Sequence, residues 1–254
     1  MINPIHLQLS NIVMRKLIAL LTGIFIFTST FSQTWFDLGL KGGAGTSILI
    51  NQNIWDDRDY NHRISPAHCF GIKAGINLSE NHEITFDLLY NQFNQSFLYN
   101  QFDSLNNSSA LLGSKITYNS MSYLLMYRFN KEGRYSEIGS SIETILNCST
   151  EDDNNLAPSI NKNDLTRSFP CLVAGFGAYF MGTDNFGITT GLRISYGFSD
   201  IISNSGKNLL LPNFKNYTTY TPSHPLSIQF IIEANFDFAY VAKAQCSRRK
   251  LILF

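Results

Sequence analysis

Charge is scarce in this chain. Only 15% of its 254 residues are Asp, Glu, Lys or Arg, where soluble domains carry about 25%. The 19 basic and 19 acidic residues cancel, so there is no electrostatic footprint for nucleic acid. Cysteine is sparse and unclustered. Cys69, Cys148, Cys171 and Cys246 form no CxxC pair, which removes zinc-ribbon and thioredoxin-type readings. P-loop, dinucleotide fingerprint, HExxH and nucleophile-elbow patterns are all missing. No metal site, cofactor or catalytic residue is expected. Long apolar runs are missing too. Past the first 32 residues no stretch reaches the roughly 20 residues of a membrane-spanning helix. Any membrane crossing must therefore be made by strands.

At the front, Arg15 and Lys16 precede an apolar run from Leu17 to Phe27, then Thr28-Ser29-Thr30-Phe31-Ser32-Gln33. Basic, apolar and small residues in that order make a secretory signal. Thr30 and Ser32 stand at the −3 and −1 positions for cleavage before Gln33. An uncleaved anchor is the alternative. Residues 1–32 are assigned to the signal, with Met14 a candidate for the true start. Aromatics are plentiful at 13%, with 20 Phe and 12 Tyr. Few charges and many aromatics suit a lipid-facing surface, and would also suit a secreted β-sandwich.

After the signal, eight segments alternate apolar with small or polar residues, the period of a strand with two unlike faces. They are Phe36–Leu49, Ala67–Ser79, Glu83–Gln95, Lys115–Phe129, Tyr135–Asn147, Phe169–Met181, Phe186–Asp200 and Leu226–Phe238. The seventh is clearest: Ile188, Thr190, Leu192, Ile194, Tyr196 and Phe198 oppose Gly187, Thr189, Gly191, Arg193, Ser195 and Gly197. Connections alternate in length. Short ones lie at Glu80-Asn81, Asn130-Lys131-Glu132-Gly133 and Gly182-Thr183-Asp184. Long polar ones lie at about 50–66, 96–114, 148–168 and 200–225. Short turns at one end and long loops at the other are the pattern of an outer-membrane barrel. The expected fold is all-β, an eight-stranded antiparallel transmembrane up-and-down β-barrel over residues 33–238. A tail of unclear role, 239–254, carries the basic run Arg248-Arg249-Lys250.

The apolar faces would meet lipid, with Tyr90, Tyr123, Tyr127, Phe129, Tyr196 and Phe198 as interfacial aromatics. The opposite faces carry Lys41, Lys73, Arg128 and Arg193 together with Asp37, Glu83, Asp87, Glu137, Glu143, Glu233 and Asp237. Side chains just fill an eight-stranded interior. A lumen network of Lys41, Lys73, Asp87, Arg128, Glu137, Glu143, Arg193 and Glu233 is therefore expected to plug the barrel; a selective pore is the alternative. Cys148 and Cys171, at the ends of neighbouring strands, are a candidate disulfide. His62, Ser65 and His68, with Asp56, Asp57 or Asp59, are the one grouping that suggests a lipid-modifying enzyme. The run Glu151-Asp152-Asp153 suggests Ca²⁺ but lacks the spaced ligands and Gly of an EF-hand loop.

The strands Phe70-Gly71-Ile72-Lys73-Ala74-Gly75-Ile76-Asn77, Tyr123-Leu124-Leu125-Met126-Tyr127-Arg128-Phe129 and Gly191–Ile201 resemble those of PorT-like outer-membrane β-barrel proteins of the Bacteroidota. The resemblance spans the region after the signal and implies an outer-membrane barrel. The family's name-giving member is associated with protein secretion, a role not carried over here. The expected function is a non-catalytic structural or interaction role through extracellular loops. A transport or secretion accessory is the alternative, and a lipid A-modifying enzyme a more distant one. Expected partners are the lipid bilayer and lipopolysaccharide, and a periplasmic or extracellular protein.

Overall fold

A computed structural model describes residues 34–103, 108–153, 160–183 and 185–240. The assigned signal and residues 241–254 of the tail lie outside the described residues. Strands dominate: β1 (Trp35–Ile50), β2 (Tyr60–Arg63), β3 (Ser65–Asn77), β4 (His82–Asp103), β5 (Ser108–Lys131), β6 (Arg134–Asp152), β7 (Ser168–Gly182), β8 (Phe186–Gly197) and β9 (His224–Tyr240). Two short helices, α1 (Gln52–Asp56) and α2 (Asn204–Asn208), lie in the long connections. Each starts at a side-chain cap: Asn51 accepts from the Ile54 amide and Ser203 from the Gly206 amide.

Eight of the strands form a closed antiparallel ring. From β3 on, each pairs with the next in sequence; β1 pairs with β3, and β9 returns to β1. The small strand β2 adds to the far end of β4, Tyr60 opposite Tyr99. Closure leaves no edge along the wall, which is how a sheet satisfies its backbone where water is absent. The tightest turn joins β5 to β6, where Glu132 and Gly133 adopt φ of 51° and 75°. Positive φ at both central residues gives the turn the twist a two-residue hairpin needs.

The faces follow the sequence parity. On β9, Ile228, Phe230, Ile232 and Phe236 are exposed, while Ser227, Gln229, Ile231 and Glu233 are buried. The outward apolar run from Leu226 to Phe236 covers about 33 Å of strand at ~3.3 Å per residue. At the usual tilt near 40° that is roughly 25 Å in height, the thickness of the lipid-facing band of such barrels.

Two expectations about length change. The segment 96–114, read as a loop, is mostly strand: β4 and β5 stay in register from His82–Phe129 out to Asp103–Ser108. The last strand also runs past Phe238 to Tyr240, opposite Trp35. In contrast β7 pairs with β6 only as far as Ser168 opposite Thr144. The loop-end rim is therefore uneven, tall over β4–β6 and low over β7–β9. The other long connections fold over the low side and are laced together. Asn51 donates its side-chain amide to the Thr221 carbonyl and the Ser223 hydroxyl, both at 2.9 Å. Asn53 donates to the Thr219 carbonyl at 2.7 Å, and the Thr166 amide to the Ile201 carbonyl at 2.7 Å.

Candidate functional site

The lumen is built in layers. Nearest the turns is a cavity of about 140 Å³ lined by Trp35, Asp37, Lys73, Tyr179, Asn235 and Asp237, among others. Above it stands a continuous ion-pair network. Lys41 Nζ lies 2.6 Å from Asp87 and 2.9 Å from Glu233. Lys73 reaches Glu233 at 3.0 Å and Asp37 at 3.2 Å, and also contacts Glu83. Arg128 spans the barrel, bonding Glu137 at 2.9 Å and Glu233 at 2.8 Å. Arg193 bonds Glu137 at 2.7 Å and Asp87 at 3.2 Å. All nine groups are buried.

Four cations thus share five carboxylates. Each carboxylate would be costly in a low-dielectric interior by itself, and the ion pairs with the surrounding cations offset that cost. Glycines on the inner faces make room: a Cβ on Gly75 would strike the Asp37 carboxylate, and one on Gly175 would strike Glu137. Arg128 also stacks 4.3 Å from the centre of the Tyr135 ring.

The structure brings seven of the eight expected network residues together: Lys41, Lys73, Asp87, Arg128, Glu137, Arg193 and Glu233. Glu143 stands apart. Ser120 donates to it at 2.7 Å and Ser141 at 3.3 Å, Ser122 donates as well, and no cation bonds it among the described residues. The reason is its height. Glu143 lies opposite Phe169, at the rim of the low wall, while Glu137 lies six residues nearer the turns.

Toward the loops the interior turns apolar, a change that strand parity did not reveal. Leu89, Phe93, Phe97, Ile116, Leu124, Met126, Ile145, Phe169 and Val173 pack there with Ile201, Ile202 and Leu211 from the covering loop. The missed signal lay in the inward positions of β4 and β5. Glu83, Thr85 and Asp87 give way to Leu89 and Phe93 on β4, and Arg128 to Met126 and Leu124 on β5. An inner face that changes from polar to apolar marks a lumen packed like a protein core.

Cys148 and Cys171 are both free thiols, as is Cys69. The expected disulfide fails on register. Cys171 faces Ser141, and Cys148 lies seven residues further along β6, ~20 Å at strand spacing and far beyond the roughly 7 Å limit for a bridge. A bulge where Asn119 and Ser120 pair with Asn147 and Ile145 displaces the end of β6 further.

The grouping of His62, Ser65 and His68 does not assemble. The Ser65 hydroxyl donates to the Arg63 carbonyl at 2.9 Å and accepts from the Ser96 amide at 2.8 Å. His68 lies on the exposed face of β3 and Ser65 on the buried one. Burial lowers the His62 pKa, and its ring packs against Trp55 and Phe97. The acids serve structure. Asp57 accepts from Tyr217 at 2.9 Å and pairs with Lys215 at 2.7 Å. Of the run at 151–153, Glu151 faces Lys115, Asp152 accepts from Tyr99, and Asp153 accepts from the Gly113 amide. No group of three or more His, Cys, Asp or Glu side chains is set to hold a metal among the described residues.

No family model matches the chain, and no curated protein does. Among solved structures it is similar to Neisserial surface protein A, at 10% identity over 80% of this chain and 97% of that one, with a TM-score of 0.39. It is also similar to the outer membrane protein OprG of Pseudomonas aeruginosa, at 11% identity over 82% and 96%, with a TM-score of 0.42. A third is Ail, the attachment invasion locus protein of Yersinia pestis, at 10% identity over 79% and 98%, with a TM-score of 0.35. At such identities nothing about these proteins' roles transfers to the chain.

Proposed function

We propose that this chain is a non-catalytic β-barrel of the Gram-negative outer membrane, plugged along its axis, that works structurally or by binding partners at its loop end. The observation that carries this reading is its inverted polarity. Arg128, Lys73, Glu83 and Glu233 are buried inside, while Leu40, Phe70, Ile72, Phe86, Leu125, Ile138, Phe176 and Phe230 stand exposed outside. A water-soluble barrel distributes these residue types the other way round, and an apolar surface of this extent needs a covering. Lipid supplies it, and the ring leaves no unpaired backbone facing it.

The ion pairs across the axis favour a plug over a pore, because a solute would have to displace Arg128 from several carboxylates at once. Lipopolysaccharide would then surround the loop-end half of the exterior, and a protein partner would meet the loops. The strand patterns shared with PorT-like barrels fit this placement, and the secretion role associated with that family's founder has no geometric support here. Two measurements test the reading together. The folded chain should run faster on a gel before boiling than after, and should partition with outer membranes. Reconstituted in planar bilayers, it should leave conductance at baseline. Steady single-channel steps would overturn the plug, and solubility without detergent would overturn the barrel's placement.

A further inference from the structure

The cavity at the turn end is unbalanced in charge. Asp37, Glu83 and Asp237 line it with one cation, Lys73. That cation is already shared among Asp37, Glu83 and Glu233. Asp237 accepts from the Trp35 side chain, and no Lys or Arg bonds it among the described residues. Added to the five carboxylates of the network it makes six against four cations, so two formal negative charges are left over. Trp35, Tyr179 and Phe186 add aromatic wall, and Asn235 on the same wall keeps a buried side-chain oxygen that no donor reaches. Carboxylates among aromatic faces suit the head of a Lys or Arg side chain. Gly182 and Thr183, exposed in the β7–β8 turn, also line the cavity, so it opens toward the turns.

We propose that the basic segment 241–254 of this same chain docks in this vestibule and closes the barrel from the turn end. The segment carries Lys243, Arg248, Arg249 and Lys250 and no Asp or Glu. Strand β9 delivers it to the cavity's rim, because Tyr240 pairs with Trp35, which lines the cavity. Lys243 follows Tyr240 by three residues, within ~10 Å of chain, and Arg248 by eight, within ~26 Å. Both lengths reach the cavity, the second with enough chain to turn back into it. Attachment makes the docking intramolecular, which favours this segment over a basic segment of another chain at equal intrinsic affinity.

The test uses the whole refolded barrel in a non-ionic detergent. Trypsin cuts after Lys243, Arg248, Arg249 and Lys250, and loss of the segment is followed by mass, relative to a free peptide of residues 241–254. At about 0.01 M salt the attached segment should be cut several-fold more slowly than the peptide. At about 1 M, where the screening length has fallen from roughly 30 Å to 3 Å, the two rates should converge. Asp237→Asn should remove most of the low-salt protection. Should that variant fail to fold, Thr183→Cys gives a second reading: on mild oxidation it should bridge to Cys246 several-fold faster at low salt than at high. Cutting at the peptide's rate in low salt overturns the docking and leaves the vestibule to a basic segment of another chain. Protection that ignores salt, persists in full in Asp237→Asn, or comes with no bridge from Thr183→Cys overturns the vestibule as its site.

Discussion

The two halves of the lumen solve one problem by different means. Toward the turns the interior is filled by four cations and five carboxylates held through direct ion pairs. Toward the loops it is filled by Phe93, Phe97, Ile116, Met126 and their neighbours, packed as in a soluble core. The charged half depends on every member, since removing one leaves its partners unpaired in a low-dielectric space. The apolar half depends on volume, and loses stability in proportion to the space opened. The barrel is thus brittle near its turns and graded near its loops.

Breaking the charged half should have the largest effect. Arg128→Met leaves Glu83, Glu137 and Glu233 short of a partner, and should cost about 3–5 kcal/mol, read as a lowered urea midpoint for the folded gel band. Pairing it with Glu233→Gln should recover part of that loss; a double variant no better than the single would deny that unpaired charge is the cause. In the apolar half, Leu124→Ala should cost about 2–5 kcal/mol depending on how far the cavity collapses. Its unfolding should stay cooperative, and added sites in this half should lower stability stepwise.

Smaller effects belong to the covering loops. Ser203→Ala removes the cap of α2 and should cost about 1 kcal/mol, seen as faster amide exchange at Gly206 with the wall strands unchanged. The weakest contact to test is the clamp of Lys215 on Asp57. Burial works against the Asp57 charge, but hydrogen bonds from Lys215, the Asp59 amide and Tyr217 outweigh it and lower the Asp57 pKa. A carboxylate lowered in the folded state adds stability in full above its unfolded pKa, and loses it as pH falls through the folded one. The clamp should therefore hold at neutral pH and release only in strong acid, below about pH 4. Protease nicking near residues 57–59 should rise over that window, and Lys215→Met should show it already at pH 7. Since the pair is partly solvated, its effect on global stability should be near zero.

Strand parity carried most of this fold. Eight alternating segments with short and long connections in turn leave little but a closed meander, and the inward charges of β1, β3, β5, β8 and β9 follow from the same count. Three things lay beyond it. The height of a residue along the barrel depends on stagger between strands, so Glu143 was grouped with Glu137 though it faces Phe169. Pairing register also decides whether two thiols meet, and the distance separating Cys148 from Cys171 comes from register together with a bulge. Strand ends are set by partners: Phe97 and Ser114 fall in the stretch 96–114 that reads as loop, yet they face each other within the paired strands β4 and β5.

The lacing of the loops bears on how this molecule can change. The connections 51–59, 160–167 and 198–223 share hydrogen bonds, so lengthening one pulls on the others. The β4–β5 hairpin beyond Tyr99 and Leu112 has no strand neighbour on either side among the described residues. That makes it the natural mast for a foreign epitope. A peptide grafted between Asp103 and Ser108 should be reached by antibody on intact cells, with the rest of the cap left undisturbed.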